Sequence, residues 1–242
     1  MKKTKIVRPA MNFMLGISFL TISLTGCTKT ENADAPATDS QTKEALLNYT
    51  FTDTIPTANC CIDSLPYETL STDEVNALLY MREEEYLAHD VYLTLSQLYT
   101  KPIFRNISKS ELRHTDAIKA LIVKYSLVDP AANHITGVFT DPALQALYTS
   151  LVSQGSSALL NGLIVGATIE DLDIVDLKNH LLTVDNQDIT VVFNNLMRGS
   201  RNHLRSFYAN ILFMGGTYAP QYLTQEEFNA IVTSNHEFGP GC

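Results

Sequence analysis

Three scarcities in this chain each remove a class of function. No Lys/Arg cluster occurs that could neutralise a phosphate backbone, so nucleic acid is not expected as a partner. The apolar run from Met11 to Leu24 is too short for the about 20 residues that cross roughly 30 Å of hydrocarbon, so it is not read as a transmembrane span. Cysteine is limited to four positions, Cys27, Cys60, Cys61 and Cys242, and none has the spacing of a Cys-x-x-Cys redox motif or a zinc site. No internal repeat at a fixed period is present either.

What is there begins with an export signal. Lys2, Lys3, Lys5 and Arg8 precede the apolar stretch MLGISFLTISL, which closes on Leu24-Thr25-Gly26-Cys27, the order of a bacterial signal peptide. That ending resembles the lipobox of bacterial lipoproteins, which implies cleavage after residue 26, lipid on Cys27, and a membrane as partner through that lipid. The blander reading is an ordinary signal peptide with an incidental cysteine. Either way an exported protein is expected, in the periplasm or at the cell surface. Removing residues 1–26 takes away four positive charges and no negative ones, so the formal charge goes from −9 to −13.

Residues 27–70 read as the acylated cysteine, a tether rich in Thr, Asp, Glu, Ala and Pro, and an irregular lead-in. One of Cys60 and Cys61 can bridge to Cys242, or all three can stay as thiols, since sequence does not give connectivity. A helical domain is expected over 71–235, with a tail over 236–242. Ser71 and Glu74 form a capping-box pattern that starts a long helix over about 72–99. A second can start at Pro102 and end before Asp129-Pro130. A crossover follows, in which Asp141-Pro142 starts a short helix. Two more long helices are expected over about 156–182 and 187–214, the last stopped by Gly215-Gly216, and a final short one starts at Thr224 with Glu227 three residues on. The long crossover places the third long helix parallel to the second, as in one class of four-helix bundle.

Each long helix interrupts its apolar stripe with polar groups: Glu85 on the first, Glu111 and His114 on the second, Glu170 and Asp173 on the third, His203 on the fourth. A buried carboxylate must be paired, protonated or metal-bound, and four carboxylates with two imidazoles suit iron, manganese or zinc. Glu111 and His114, three apart, project to one side of a helix. Bland alternatives stand beside each. Glu85 lies in the run Glu83-Glu84-Glu85, usually a solvated face, although Glu83 falls off the stripe and Glu84 lies at its margin. Glu111 can instead complete a capping box with Ser108, and His203 alone is an ordinary core histidine. Asp171 and Asp176 are read as pointing to water, and His89, His134, His180 and His236 as surface or loop residues.

The segment from Glu85 to Tyr92 is similar to the first metal-binding helix of rubrerythrins and ferritins, where a ligand Glu is followed seven residues later by Tyr. Glu111-x-x-His114 resembles their second-helix pair, and Glu170-x-x-Asp173 the Glu-x-x-Glu of the rubrerythrin third helix. The whole stretch from about 70 to 235, including GVFTDPALQALY, GATIEDLDIVDL and GSRNHLRSF, resembles more closely the ferritin-like family catalogued as domain of unknown function 2202. The departure is Ser200, which stands where ferritin-like di-iron sites carry a carboxylate three residues before the histidine. The second metal position is then one carboxylate short unless Asp173 compensates, and Arg198, Arg201 and Arg205 offer themselves as partners for surplus acids.

These readings together predict an all-α, ferritin-like four-helix bundle with short extra helices. The resemblance implies a metal-binding protein with two iron ions, or one; the donor types also suit manganese or zinc, and the lipobox resemblance makes it a lipoprotein. It would react with oxygen or peroxide, or oxidise ferrous iron, with Tyr92 donating a hydrogen bond or an electron. The alternative is a non-catalytic structural or partner-binding lipoprotein with a degenerate metal site. A homodimer is compatible with either.

Overall fold

The computed structural model describes residues 62–239. The leader, Cys27, the tether, Cys60, Cys61 and Cys242 lie outside the described residues, and with them the expectations of a lipid anchor and a disulfide.

The described chain is helical, with helices α1 (Thr72–Leu98), α2 (Pro102–Lys124), α3 (Pro142–Gly155), α4 (Leu159–His180), α5 (Gln187–Phe213) and α6 (Gln225–Thr233). Local chemistry sets most of the starts. Ser71 Oγ accepts from Glu74 N at 3.2 Å while Glu74 Oε2 accepts from Ser71 N at 2.8 Å, the expected capping box. The other Glu74 oxygen accepts from Asn186 N at 2.9 Å, so one glutamate fixes the starts of both α1 and α5. Pro102 opens α2, Asp141 caps α3 by accepting from Ala143 N, and Thr224 with Glu227 caps α6. Because α2 begins at Pro102, Glu111 lies deep within it, and the alternative start at Ser108 is excluded.

α1 packs most extensively on α2, and α4 on α5; α1 also meets α4, and α2 meets α5. Tyr80 reaches Asp176 and Tyr92 reaches Glu170, so α1 and α4 are antiparallel. Lys101 reaches Asn210 and Tyr125 reaches Asp188, so α2 and α5 are antiparallel too. Arg82 meets Thr115 and His89 meets Ser108, which makes α1 and α2 a third antiparallel pair. α2 and α4 therefore run parallel at opposite corners, joined by the crossover that holds α3, as expected. Among the described residues no helix is long and apolar enough to cross a membrane.

Two apolar clusters fill the bundle. One gathers Leu87, Val91, Leu95, Phe104, Leu163 and Phe207, and the other Leu78, Met81, Ile118, Leu121, Ile189 and Phe193. Burying side chains of this size contributes roughly 1.5–3 kcal/mol each. On α1, α2 and α5 the polar residues singled out above fall between these clusters, and on α4 Glu170 and Asp173 lie one to two turns before Leu177 of the second.

Candidate metal centre

Glu85 on α1, Glu111 and His114 on α2, Glu170 on α4 and His203 on α5 converge in this layer, each at most 2% exposed. His114 Nδ1 lies 3.1 Å from Glu85 Oε2 and 2.7 Å from Glu111 Oε2. His203 Nδ1 lies 2.8 Å from Glu111 Oε1 and 3.4 Å from Glu170 Oε2. The two imidazoles stack at 5.5 Å with 22° between planes. The result is two three-residue groups able to hold an ion, Glu85/Glu111/His114 and Glu111/Glu170/His203, and Glu111 belongs to both through different oxygens.

Tyr92, about two turns along α1 from Glu85, donates to Glu170 Oε1 at 2.5 Å and lies 3.2 Å from the Gly166 carbonyl. Gly166 is required by packing, since a Cβ there would sit 2.3 Å from the Phe207 ring. Asp173 is not in either group. The Ser200 hydroxyl donates to its Oδ2, while its Oδ1 is buried without a donor. The serine at the departure from the ferritin-like pattern thus contacts a neighbouring carboxylate directly.

The electrostatics follow from crowding acids in a dry layer. Burial, opposed by His114, pushes Glu85 up to about 7. Burial and the charge of Glu111 push Glu170 up to about 7 against the pull of His203. Burial also disfavours the charge on Glu111, but His203 and His114 outweigh it and hold its carboxyl well below the usual range. Against burial, Glu111 and Glu170 raise His203 to about 10, and Glu111 and Glu85 hold His114 well above its usual value. Burial and Glu85 raise Asp173, and burial and Glu170 raise Tyr92.

The donor set fits a cation. Four carboxylates outnumber two imidazoles even when both imidazoles are protonated, and no described ion pair brings Lys or Arg to Glu85, Glu111, Glu170 or Asp173. Glu85 Oε1 and His114 Nε2 are buried with no hydrogen-bond partner. Against burial, the carboxylates raise His114 and His203, so protonated imidazoles offset part of this negative charge.

Several expectations fail around this layer. Arg201 and Arg205 pair with Glu237 in the C-terminal segment, and Arg198 donates to Asn195; none turns to the centre. Asp171 does not face water: it is buried and accepts from Tyr218 Oη, Gln221 N and Leu223 N, which fixes the loop before α6. Glu83 is buried as well, accepting from Thr140 N, Thr140 Oγ1 and Asp141 N at the start of α3. Glu84 is buried rather than marginal. His134 binds buried Asp90 at 2.9 Å and stacks on Tyr86, and His89 is half-buried against Ser108, so neither is a simple surface residue.

A model of the family described as "Uncharacterized protein domain (DUF2202)" matches residues 74–235. The chain is 47% identical over 178 residues to the uncharacterized protein MJ0754 of Methanocaldococcus jannaschii, over 74% of this chain and 96% of that one. The crystal structure of that hypothetical protein aligns with a TM-score of 0.71, covering 72% of this chain and 99% of the other. The chain belongs to the DUF2202 family.

Proposed function

We propose that this DUF2202 protein is an envelope lipoprotein whose buried layer holds two iron ions, and that it reacts with oxygen or peroxide or oxidises ferrous iron. One observation carries the reading: Glu111 offers one oxygen to each of two ligand groups, which otherwise share no residue. Glu85 and His114 would hold one ion, Glu170 and His203 the other, with Glu111 between them. Two ferrous ions held by these residues would supply the electrons with which an oxidant is reduced. Manganese or zinc would suit the same oxygen and nitrogen donors.

The chain's own residues do the rest. Tyr92 keeps its proton at Glu170 Oε1, which orients that carboxylate and leaves Oε2 turned toward His203. Ser200 fixes Asp173 at the edge of the layer. The apolar clusters above and below exclude water, so the charges are strongly felt. Lipid on Cys27 would place this domain at a membrane outside the cytoplasm.

Ser200 favours a second reading, a non-catalytic bundle whose inward polar groups form a hydrogen-bonded network. Elemental analysis of protein purified without chelators separates the two. About two irons per chain supports the proposal, about one indicates a mononuclear site, and none after both aerobic and anaerobic purification supports the structural protein.

A further inference from the structure

Every residue of the centre is almost wholly buried, so an ion bound for it must pass between helices. The seams differ in charge. Between α1 and α2 lies buried Arg82, which donates to the Thr115 carbonyl and pairs with Asp129. Between α2 and α5 stand Lys101 and Lys124, bound to Asn210 and Asp188. Arg201 and Arg205 line α5 beneath the C-terminal segment. In these seams the acids are already paired with Lys or Arg, which leaves little negative charge to draw in a cation.

The α1–α4 seam is different. Glu84 is 3% exposed; neither of its oxygens meets an N–H or hydroxyl donor, and its carboxyl lies against that of Asp176. Asp176, half-buried on α4, accepts from Tyr80 Oη at 3.3 Å. Asp173 sits one turn before it on the same helix face. Asp176, Asp173 and Glu85 are, in that order, the charges that bear on Glu84. None of Glu84, Asp173 and Asp176 is in an ion pair with Lys or Arg among the described residues. α3 packs over the far half of this seam, near Leu95 and Gly162, and leaves the half with Tyr80 and Asp176 only partly covered. Carboxylates thus lead from the half-buried Asp176 through Glu84 to Asp173 and Glu85.

We propose that Glu84 and Asp176 form a transfer site for divalent cations, which holds an ion by carboxylate oxygens between solvent and the buried centre and hands it inward past Asp173. This rests on reading the centre as a metal site. An oxygen-only pair binds a first-row cation more weakly than a site with imidazoles, as a transit position requires. A seam lined with one sign of charge between low-dielectric walls raises the local cation concentration and the rate of arrival.

The test is the kinetics of Co2+ loading into the metal-free full chain, followed by the visible absorption of bound Co2+ in stopped flow, with the final Co2+ content measured after desalting. Glu84→Gln should slow loading roughly ten-fold or more while reaching the wild-type final content. Asp176→Asn, which keeps the shape and an acceptor for Tyr80 at a half-buried position, should slow it in the same direction; Glu226→Gln, exposed on α6, should load at the wild-type rate. Wild-type rates in both seam variants would overturn the transfer site and leave Glu84 and Asp176 as carboxyls sharing a proton. A lower final content in Glu84→Gln would also overturn it, by making Glu84 a ligand of the centre. Wild-type protein that takes up no Co2+ would instead sink the metal reading of the centre, and the transfer site with it.

Discussion

Glu111 is the residue on which both halves of the centre depend, because each of its oxygens faces a different imidazole. Glu111→Ala should therefore reduce bound metal at least about ten-fold, since losing even a group that only orients a ligand costs about 10–100-fold in affinity. Glu83, two residues from Glu85, makes the sharper control because its carboxylate serves a different purpose. It accepts three hydrogen bonds at the start of α3, so Glu83→Ala should keep its metal yet lose about 1–3 kcal/mol of stability. Equal metal contents in the two purified variants would show that Glu111 is not a ligand. The sequence pattern marks Glu85, Glu111, His114, Glu170 and His203, which meet in one buried layer because each interrupts an apolar stripe and a stripe marks the side that packs; Asp173, marked by the same pattern, joins neither ligand group. The pattern misplaced Glu83, Glu84 and Asp171 for a physical reason. α1 touches α2, α3 and α4, and α4 touches α1, α3 and α5, so a charge run on either helix has no fully solvated face. Arg82 escaped notice in the same way, since only the packed structure shows its guanidinium between Thr115 and Asp129.

At the scale of elements, helix starts were more legible than helix ends. Ser71, Asp141 and Thr224 cap through their own side chains, which a sequence displays directly. α5 ends as the Gly215-Gly216 pair predicts: Gly215 takes φ +75°, Gly216 N donates to the Ile211 carbonyl and Gly215 N to the Leu212 carbonyl. α2 ends with the same bonding, Leu127 N to Ile122 O and Ser126 N to Val123 O, but the left-handed residue is Ser126 at φ 54°. No glycine announces that stop, and the sequence pattern ran on toward Asp129. An L-residue in this region is strained by roughly 1–2 kcal/mol, of which the extra freedom of an unfolded glycine returns part. Ser126 is exposed, so Ser126→Gly removes no packing and should raise stability by about 0.5–1 kcal/mol. A lower midpoint in denaturant for this variant would contradict the strained cap. α3 runs to Gly155, and α4 starts at Leu159 rather than at about 156.

For the whole molecule, anchoring and charge are separable. Cys27→Ser should leave the protein without lipid and outside the membrane fraction, because acyl chains on that residue are the proposed attachment; full retention in fractionation would refute it. Charge makes the folded state sensitive to pH when no metal is bound. Glu85 and Glu170 release their protons near 7 in the fold and near 4.5 when unfolded, so the fold binds more protons between these values and loses stability as pH rises through them. His114 and His203 are raised as well; their contribution is complete below about 6.5 and is lost as pH climbs toward the folded values, about 10 for His203. Glu111 acts oppositely, stabilising above its unfolded value and failing only in acid, so it adds no slope near neutrality. His180, lowered by burial, works against the trend below about 6.5, but it is a single group against four. The melting temperature of metal-free protein should therefore fall from about pH 5 to about pH 9. A bound cation takes the place of those protons, and its affinity grows as the ligands ionise. The rise in melting temperature on adding Mn2+ should then increase steadily over the same range. Metal-free protein that melts higher at alkaline pH than at pH 5 would show that these buried acids and imidazoles do not share protons as the geometry requires.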